Sequence, residues 1–258
     1  MSGTGSVTVT VTGPLTGPLN GRTAVITGGG TGFGAGIARG LAAAGARVLL
    51  ADAMADRAEA VAQELGCDWT TLQADDAGSV AALAYRAADL FEDIDILVAA
   101  ALPPLRSGPV VPLTDDGFDA TLRLAARPFY LTTRAFAPAM QARRSGVILN
   151  LLRRLPDDDP WSAAAHGWGV AATLGLAAEL GAQGLRVNAL SVLADPAPAL
   201  PRFLGGNGHG DRARQLAAIP LGRYGLPDDL GQAALFLCAD AASLVTGQII
   251  RIDGGAGL

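Results

Sequence analysis

Three glycines, Gly28, Gly32 and Gly34, lie in TGGGTGFG (Thr27 to Gly34) with the spacing of a turn that brings backbone against a pyrophosphate. Gly28 permits the tight turn, Gly32 permits close approach, and Gly34 lets a following helix pack near a sheet, while the helix N-terminus favours phosphate charge. Asp52, eighteen residues after Gly34 at the end of RVLLAD, can accept hydrogen bonds from both hydroxyls of an adenine ribose and would repel a 2′-phosphate. No arginine lies within Gly28 to Gly34 or directly after Asp52, so the pattern favours NAD over NADP. In the alternative reading the glycines serve only a tight turn and Asp52 caps the next helix. A second set lies in DDDPWSAAAHGWGVAA, where Ser162 and His166 stand at i and i+4 and so share one helix face. They can form a hydrogen-bonded pair, and Arg153 would add a cation able to hold a carboxylate or an enolate oxygen. The competing reading makes Ser162 an N-cap, lets His166 fill space, and pairs Arg153 or Arg154 with Asp157 to Asp159.

Positioning these groups needs a frame, and the chain repeats one. RTAVITG, ARVLLAD, WTTLQA, DILVAA, GVILNLL, LRVNALSV and GQIIRID read as buried strands. FGAGIARGLAAAG, MADRAEAVAQELG, SVAALAYRAADLF, GFDATLRLAARPFYLTTRAFAPAMQA and SAAAHGWGVAATLGLAAELGAQG carry helical spacing between them. Such alternation predicts an α/β fold, a Rossmann-type doubly wound parallel sheet in three α/β/α layers, as one domain over residues 18–258. Residues 1–17, rich in Gly, Thr and Pro, read as a flexible tail although VTVTVT alternates like a strand.

Composition narrows the class. At 258 residues and 50% hydrophobic content, with no apolar run long enough to span a bilayer, the chain reads as a soluble domain without a membrane role. The first residues show neither a basic n-region nor an apolar h-region, so the expected location is cytoplasmic. A net charge of -5 with scattered arginines argues against nucleic acid, and Cys67 and Cys238 lack metal-ligand spacing. The chain contains no lysine.

TGGGTGFG, DILVAAA, GVILN, GLRVNALS, IPLGRYGLPDDLGQAALFL and TGQIIRIDGG, in this order, together resemble the short-chain dehydrogenase/reductase family from about residue 18 to 258. The resemblance implies hydride transfer with a nicotinamide cofactor, and a cofactor site of Thr27, Gly28, Gly30, Gly32, Phe33, Gly34, Asp52 and Asp75. It also implies a homodimer or homotetramer built on the long helix pair and the last strand. The family's catalytic asparagine, serine, tyrosine and lysine are replaced. Ala99 and Ala100 stand at two strand-end asparagines, Leu102 at the glycine after them, Ala125 at the proton-relay asparagine and Arg153 at the serine. Counting back from GLRVN puts Ser162 at the tyrosine and His166 at the lysine; counting forward from Arg153 puts His166 and Val170 there. The first count is preferred, because loops absorb deletions more readily than helices. Val192, Leu193 and Pro196 replace the residues that usually meet the nicotinamide amide.

Three functions follow as expectations. One is an NAD(H)-binding accessory or structural subunit, as a homo-oligomer or as a hetero-oligomer with an active paralogue. A second is a non-redox lyase, isomerase or cyclase using His166 and Arg153. A third is an oxidoreductase with another proton donor. Trp161 and Trp168 read as core or interface residues that can also line a pocket, and His209 reads as solvated.

Overall fold

The computed structural model describes residues 17–102, 114–154, 160–193, 213–214, 216–256 and 258, with the side chains of residues 160–162 excepted. The expected tail therefore lies almost wholly outside the described residues. Gly17, its last member, already belongs to the domain: a Cβ there would lie 2.1 Å from the Ala44 carbonyl oxygen.

Seven parallel strands form one sheet in the order β3-β2-β1-β4-β5-β6-β7. They are β1 (Thr23–Thr27), β2 (Arg47–Asp52), β3 (Asp68–Thr71), β4 (Ile96–Ala99), β5 (Gly146–Arg154), β6 (Leu185–Leu193) and β7 (Ile249–Ile252). The chain leaves β1 toward β2 on one side and returns to β4 on the other, which opens a crevice beyond the strand C-termini. Helices α1 (Gly32–Ala43), α2 (Ala55–Leu65) and α6 (Pro227–Cys238) cover one face; α3 (Ala77–Leu90), α4 (Asp115–Arg143) and α5 (Pro160–Gly181) cover the other.

Strand alternation divides the core. Ala24, Ile26, Val48, Leu50, Ile96 and Val98 pack with Ile37, Leu41 and Leu230, whereas Val25, Leu49, Leu97 and Ile148 pack with Leu83, Phe136 and Leu180. Both faces of each central strand are apolar, as a sheet covered on both sides requires. Strand β3 is shorter than WTTLQA suggests: Leu72 N–H still donates to the Asp52 carbonyl at 2.9 Å, but the chain enters a turn at Ala74 and Asp75.

Helices α1 and α6 touch through backbone. A Cβ at Gly36 would lie 2.2 Å from the Pro227 carbonyl oxygen, and one at Gly40 would lie 2.8 Å from the Gly231 Cα. Helix α4 starts on a capped turn, Thr114 Oγ1 accepting from Gly117 N–H at 3.2 Å, and ends on Arg144 in the left-handed region. No helix among the described residues is long and apolar enough to cross a membrane. The Gly40→Ala variant should push α1 from α6 and cost about 1–3 kcal/mol. Urea unfolding should show a lower midpoint with an unchanged slope.

Candidate functional site

Two adjoining cavities open beyond the ends of β1, β2, β4 and β5. The larger, about 520 Å³, is bordered by Gly28, Gly32, Phe33 and Gly34 on the first turn, Asp52 and Met54 after β2, and Asp75 after β3. The smaller, about 60 Å³, lies against α4 and α5 and is bordered by Asn150, Arg153, His166, Trp168 and Gly169. Ala101, Leu102, Leu124, Pro128, Leu151 and Arg153 border both, so the two meet there, away from Asp52.

The glycine turn is set by close backbone contact. Gly28, at φ +69°, would carry a Cβ 2.4 Å from the Ala100 carbonyl oxygen, and a Cβ on Gly34 would lie 2.0 Å from the Gly28 carbonyl oxygen. Gly32, at φ +51°, would place a Cβ with nothing within 4 Å and borders the larger cavity. Thr31 makes no side-chain cap on α1, whose first turn thus stays uncapped beside the cavity. Thr27 joins the strand ends: its Oγ1 donates to the Val98 carbonyl at 3.3 Å and accepts from Ala101 N–H at 3.4 Å. That hydroxyl ties β1 to β4 where the family's asparagines would, and it borders the smaller cavity instead of the larger one.

Asp52 is buried at the end of β2. Its Oδ2 accepts from Gly30 N–H at 2.9 Å and its Oδ1 from Met54 N–H at 3.0 Å. Each oxygen retains further acceptor capacity, so the carboxylate is oriented while still able to receive ribose hydroxyls. Asp52 thus steadies Met54, the residue ahead of α2, and its carboxylate borders the larger cavity. Gly30 does not border it, being packed behind Asp52 with a would-be Cβ 3.1 Å from the carboxylate. Asp75 borders the cavity and is anchored through its backbone, whose carbonyl accepts from Arg127 Nε at 2.8 Å.

His166 Nε2 is hydrogen-bonded to Ser191 Oγ at 2.8 Å. Ser191 sits fully buried on β6 beside Leu152 of β5, under α5. Gly169, three residues along α5, is the other contact on that face: a Cβ there would lie 2.4 Å from Leu152 Cδ2. Asn150 Nδ2 donates to Thr173 Oγ1 at 3.2 Å, and Thr173 Oγ1 donates to the Gly169 carbonyl. The sequence offered Ser162 as the partner of His166; the structure gives Nε2 to Ser191, whose role depends on how α5 lies over β6. Ser162 takes its place in the α5 backbone, and its side chain lies outside the description. Trp168 borders the smaller cavity and meets Phe129 edge-on at 6.4 Å between ring centres.

Arg153 stands where the cavities join, and burial pushes its guanidinium below the ordinary arginine value. Arg154 pairs with Asp253 after β7 at 3.2 Å, a partner the sequence did not suggest, and Asp253 also receives Arg251 at 2.6 Å. Asp157 to Asp159, Pro196 and His209 lie outside the described residues. Tyr85 and Tyr130 are exposed and Tyr224 packs with Leu193 and Ile219; none borders either cavity. Burial pushes both thiols, Cys67 and Cys238, up to about 12, and no three metal-binding side chains cluster among the described residues.

A family model described as enoyl-(acyl carrier protein) reductase matches residues 28–257. The chain is 35% identical to D-threitol dehydrogenase of Mycolicibacterium smegmatis over 82% of its own length and 83% of that enzyme. It is 33% identical to 4-formylbenzenesulfonate dehydrogenase of Comamonas testosteroni, spanning 58% of this chain and 62% of that one. A third relative, inactive 2-(S)-hydroxypropyl-CoM dehydrogenase 2 of Xanthobacter autotrophicus, is 35% identical over 49% of this chain and 57% of its own. Among solved structures, 3-ketoacyl-(acyl-carrier-protein) reductase of Brucella melitensis complexed with NADH superposes with a TM-score of 0.83 at 34% identity, covering 93% of this chain and 100% of the other.

The Ser191→Ala variant should remove the Nε2 hydrogen bond of His166 without unfolding the sheet, since it removes one hydroxyl beneath α5. With only two histidines in the chain, nitrogen NMR of the ring signals should show the His166 Nε2 resonance moving and His209 unmoved. An unmoved His166 signal would show that Ser191 does not orient the ring.

Proposed function

The chain belongs to the short-chain dehydrogenase/reductase family, and we propose that it is an NAD(H)-binding member that has given up the family's route to carbonyl reduction and works as an accessory or structural subunit. The observation that carries this reading is the lining of the smaller cavity. The chain contains no lysine, and among the described residues the cavity is bordered by no tyrosine and by the polar side chains of Thr27, Asn150, Arg153, His166 and the indole of Trp168.

In the larger cavity Asp52 would receive the adenine-ribose hydroxyls, and Gly28, Gly32 and Gly34 would admit the pyrophosphate beside the start of α1. Bound there, a nicotinamide nucleotide supplies a hydride to give or take. The chain's own residues offer poor help for the accompanying proton. The family's tyrosine is brought toward neutral pH by the adjacent ammonium; this chain has no lysine, and none of its three tyrosines borders either cavity. Losing a general acid typically costs about 10² to 10⁴ in rate, and Ala125 and Arg153 replace the relay and polarising residues as well. The inactive relative in Xanthobacter supports the reading by example.

A second reading is favoured by one specific observation: His166 and Arg153 border the same small cavity. An imidazole hydrogen-bonded to Ser191 and bordering the same cavity as a guanidinium is suited to moving a proton next to an enolate or carboxylate oxygen without net redox change. Assembly follows from α5, whose outer residues Ala164, Gly167, Trp168, Ala171, Leu174 and Gly175 are small or apolar and exposed. Such a face suits a homodimer or homotetramer, or a paralogue in place of the second copy.

Titration calorimetry should give NADH an affinity at least about tenfold above NADPH, about 1.4 kcal/mol, and Asp52→Asn should shrink that ratio. Steady-state assays with aldehydes, diketones and quinones should show no NADH consumption above background. Robust turnover of NADH by the pure protein would overturn the accessory role. Loss of about 10² or more of a non-redox activity in His166→Ala would establish the second reading.

A further inference from the structure

We propose that Asn150 makes the smaller cavity a recognition site for a primary carboxamide. Resting on the NAD(H) reading of the larger cavity, the amide it takes is the one on the nicotinamide end of the nucleotide. Asn150 is buried within β5, in register with Ala99 of β4 and Ala189 of β6, and it borders the cavity. Thr173 on α5 fixes which way its side chain lies. The Thr173 hydroxyl has one proton and donates it to the Gly169 carbonyl at 2.8 Å, so toward Asn150 it can only accept, and it takes an N–H from Nδ2 at 3.2 Å. Oδ1 and the second N–H of that amide make no hydrogen bond among the described residues. A buried amide with both of these groups open calls for a partner.

The surrounding residues limit what that partner can be. Ala99, Leu124, Ala125, Phe129 and Leu152 give the cavity apolar walls, and no carboxylate borders it among the described residues. Thr27 Oγ1 already donates to the Val98 carbonyl and accepts from Ala101 N–H. Beside the end of β5, β6 carries Val192 and Leu193, both buried and neither with a polar side chain. An ionised carboxylate has no proton for Oδ1, and an ammonium would lose its water against apolar walls. A carboxamide is neutral, donates through its N–H and accepts through its carbonyl, so it can meet both open groups of Asn150. The cavity, about 60 Å³, is several times the roughly 10–15 Å³ that one water requires. It opens into the larger cavity past Leu102, Pro128 and Leu151. A dinucleotide held by Asp52 and the glycine turn extends its nicotinamide end toward that opening.

The test uses the intact protein with ligands that differ at the amide: NADH, its 3-acetylpyridine analogue, in which a methyl group replaces the amide nitrogen, and ADP-ribose, which lacks the ring. Calorimetry on the unmodified chain should find NADH binding at least about tenfold tighter than the analogue, whose methyl group leaves Oδ1 unpaired. Asn150→Leu should bring the two affinities together while ADP-ribose binds as before. A separate small amide is the other source of the same chemistry. In that case NADH and its analogue bind alike, and saturation-transfer NMR on protein loaded with ADP-ribose detects free nicotinamide but not 3-acetylpyridine, with the signal lost in Asn150→Leu. That result would keep the carboxamide site and change its source. NADH binding no tighter than the analogue, with no signal from free nicotinamide, would overturn the proposal, as would a preference that survives Asn150→Leu. Should that variant fail to fold, the comparison on the unmodified chain decides. Failure of ADP-ribose to bind would remove the nucleotide from the larger cavity, and binding of free nicotinamide alone would then decide whether the amide site stands.

Discussion

Backbone lies against backbone at the end of β1, and most of what surrounds the site depends on that contact. The turn after Thr27 runs against the carbonyl of Ala100, and the start of α1 runs against the carbonyl of Gly28. No side chain fits in either place. Because the turn is this tight, α1 begins directly over the crevice, its first turn faces the cavity, and its far side descends onto α6 at Gly36 and Gly40. A bulkier residue at any of these points would displace the helix and narrow the crevice that opens beyond the strand C-termini.

The polar groups of the site are supported by partners of unlike kind. Asp52 is held by two backbone N–H groups, which fix its orientation without neutralising it. His166 is held by a hydroxyl from the sheet beneath it. Arg153 sits at the end of the longest pairing in the sheet, between β5 and β6, where strand register fixes its backbone opposite Val192. The groups around Asp52 thus follow the usual logic of a doubly wound crevice, while those around Arg153 and His166 form a different set built on the same backbone.

The strands and the crevice were legible because apolar alternation bounded by glycine and charge is a local signal, present in each strand on its own. Asp52 was legible for the same reason: a carboxylate closing an apolar run can only emerge at the strand end. The role of Gly30 was not, since it packs behind a carboxylate twenty-two residues away. Ser191 was missed because its neighbours in NALSV show only a buried strand, and its contact with His166 exists only once α5 lies across β6. Asp253 as a partner of Arg154 was not legible either: the strand order brings it, ninety-nine residues away, to the end of β5. Sequence distance misleads wherever a sheet sets the neighbours.

The same aspartate makes the two ends of the domain mechanically unlike. Asp253 grips Arg154 and Arg251 and receives the N–H of Gly255, so the last few residues are bolted to the strand that carries Arg153. Near the other end, Leu19 is anchored to Ala44 at the back of α1, remote from the cavities. An affinity tag or fusion partner appended after Leu258 pulls on the floor of the site, whereas one placed ahead of Gly17 pulls on the far end of a helix. The choice of terminus in any engineered version of this chain is therefore a choice about whether the site is left undisturbed.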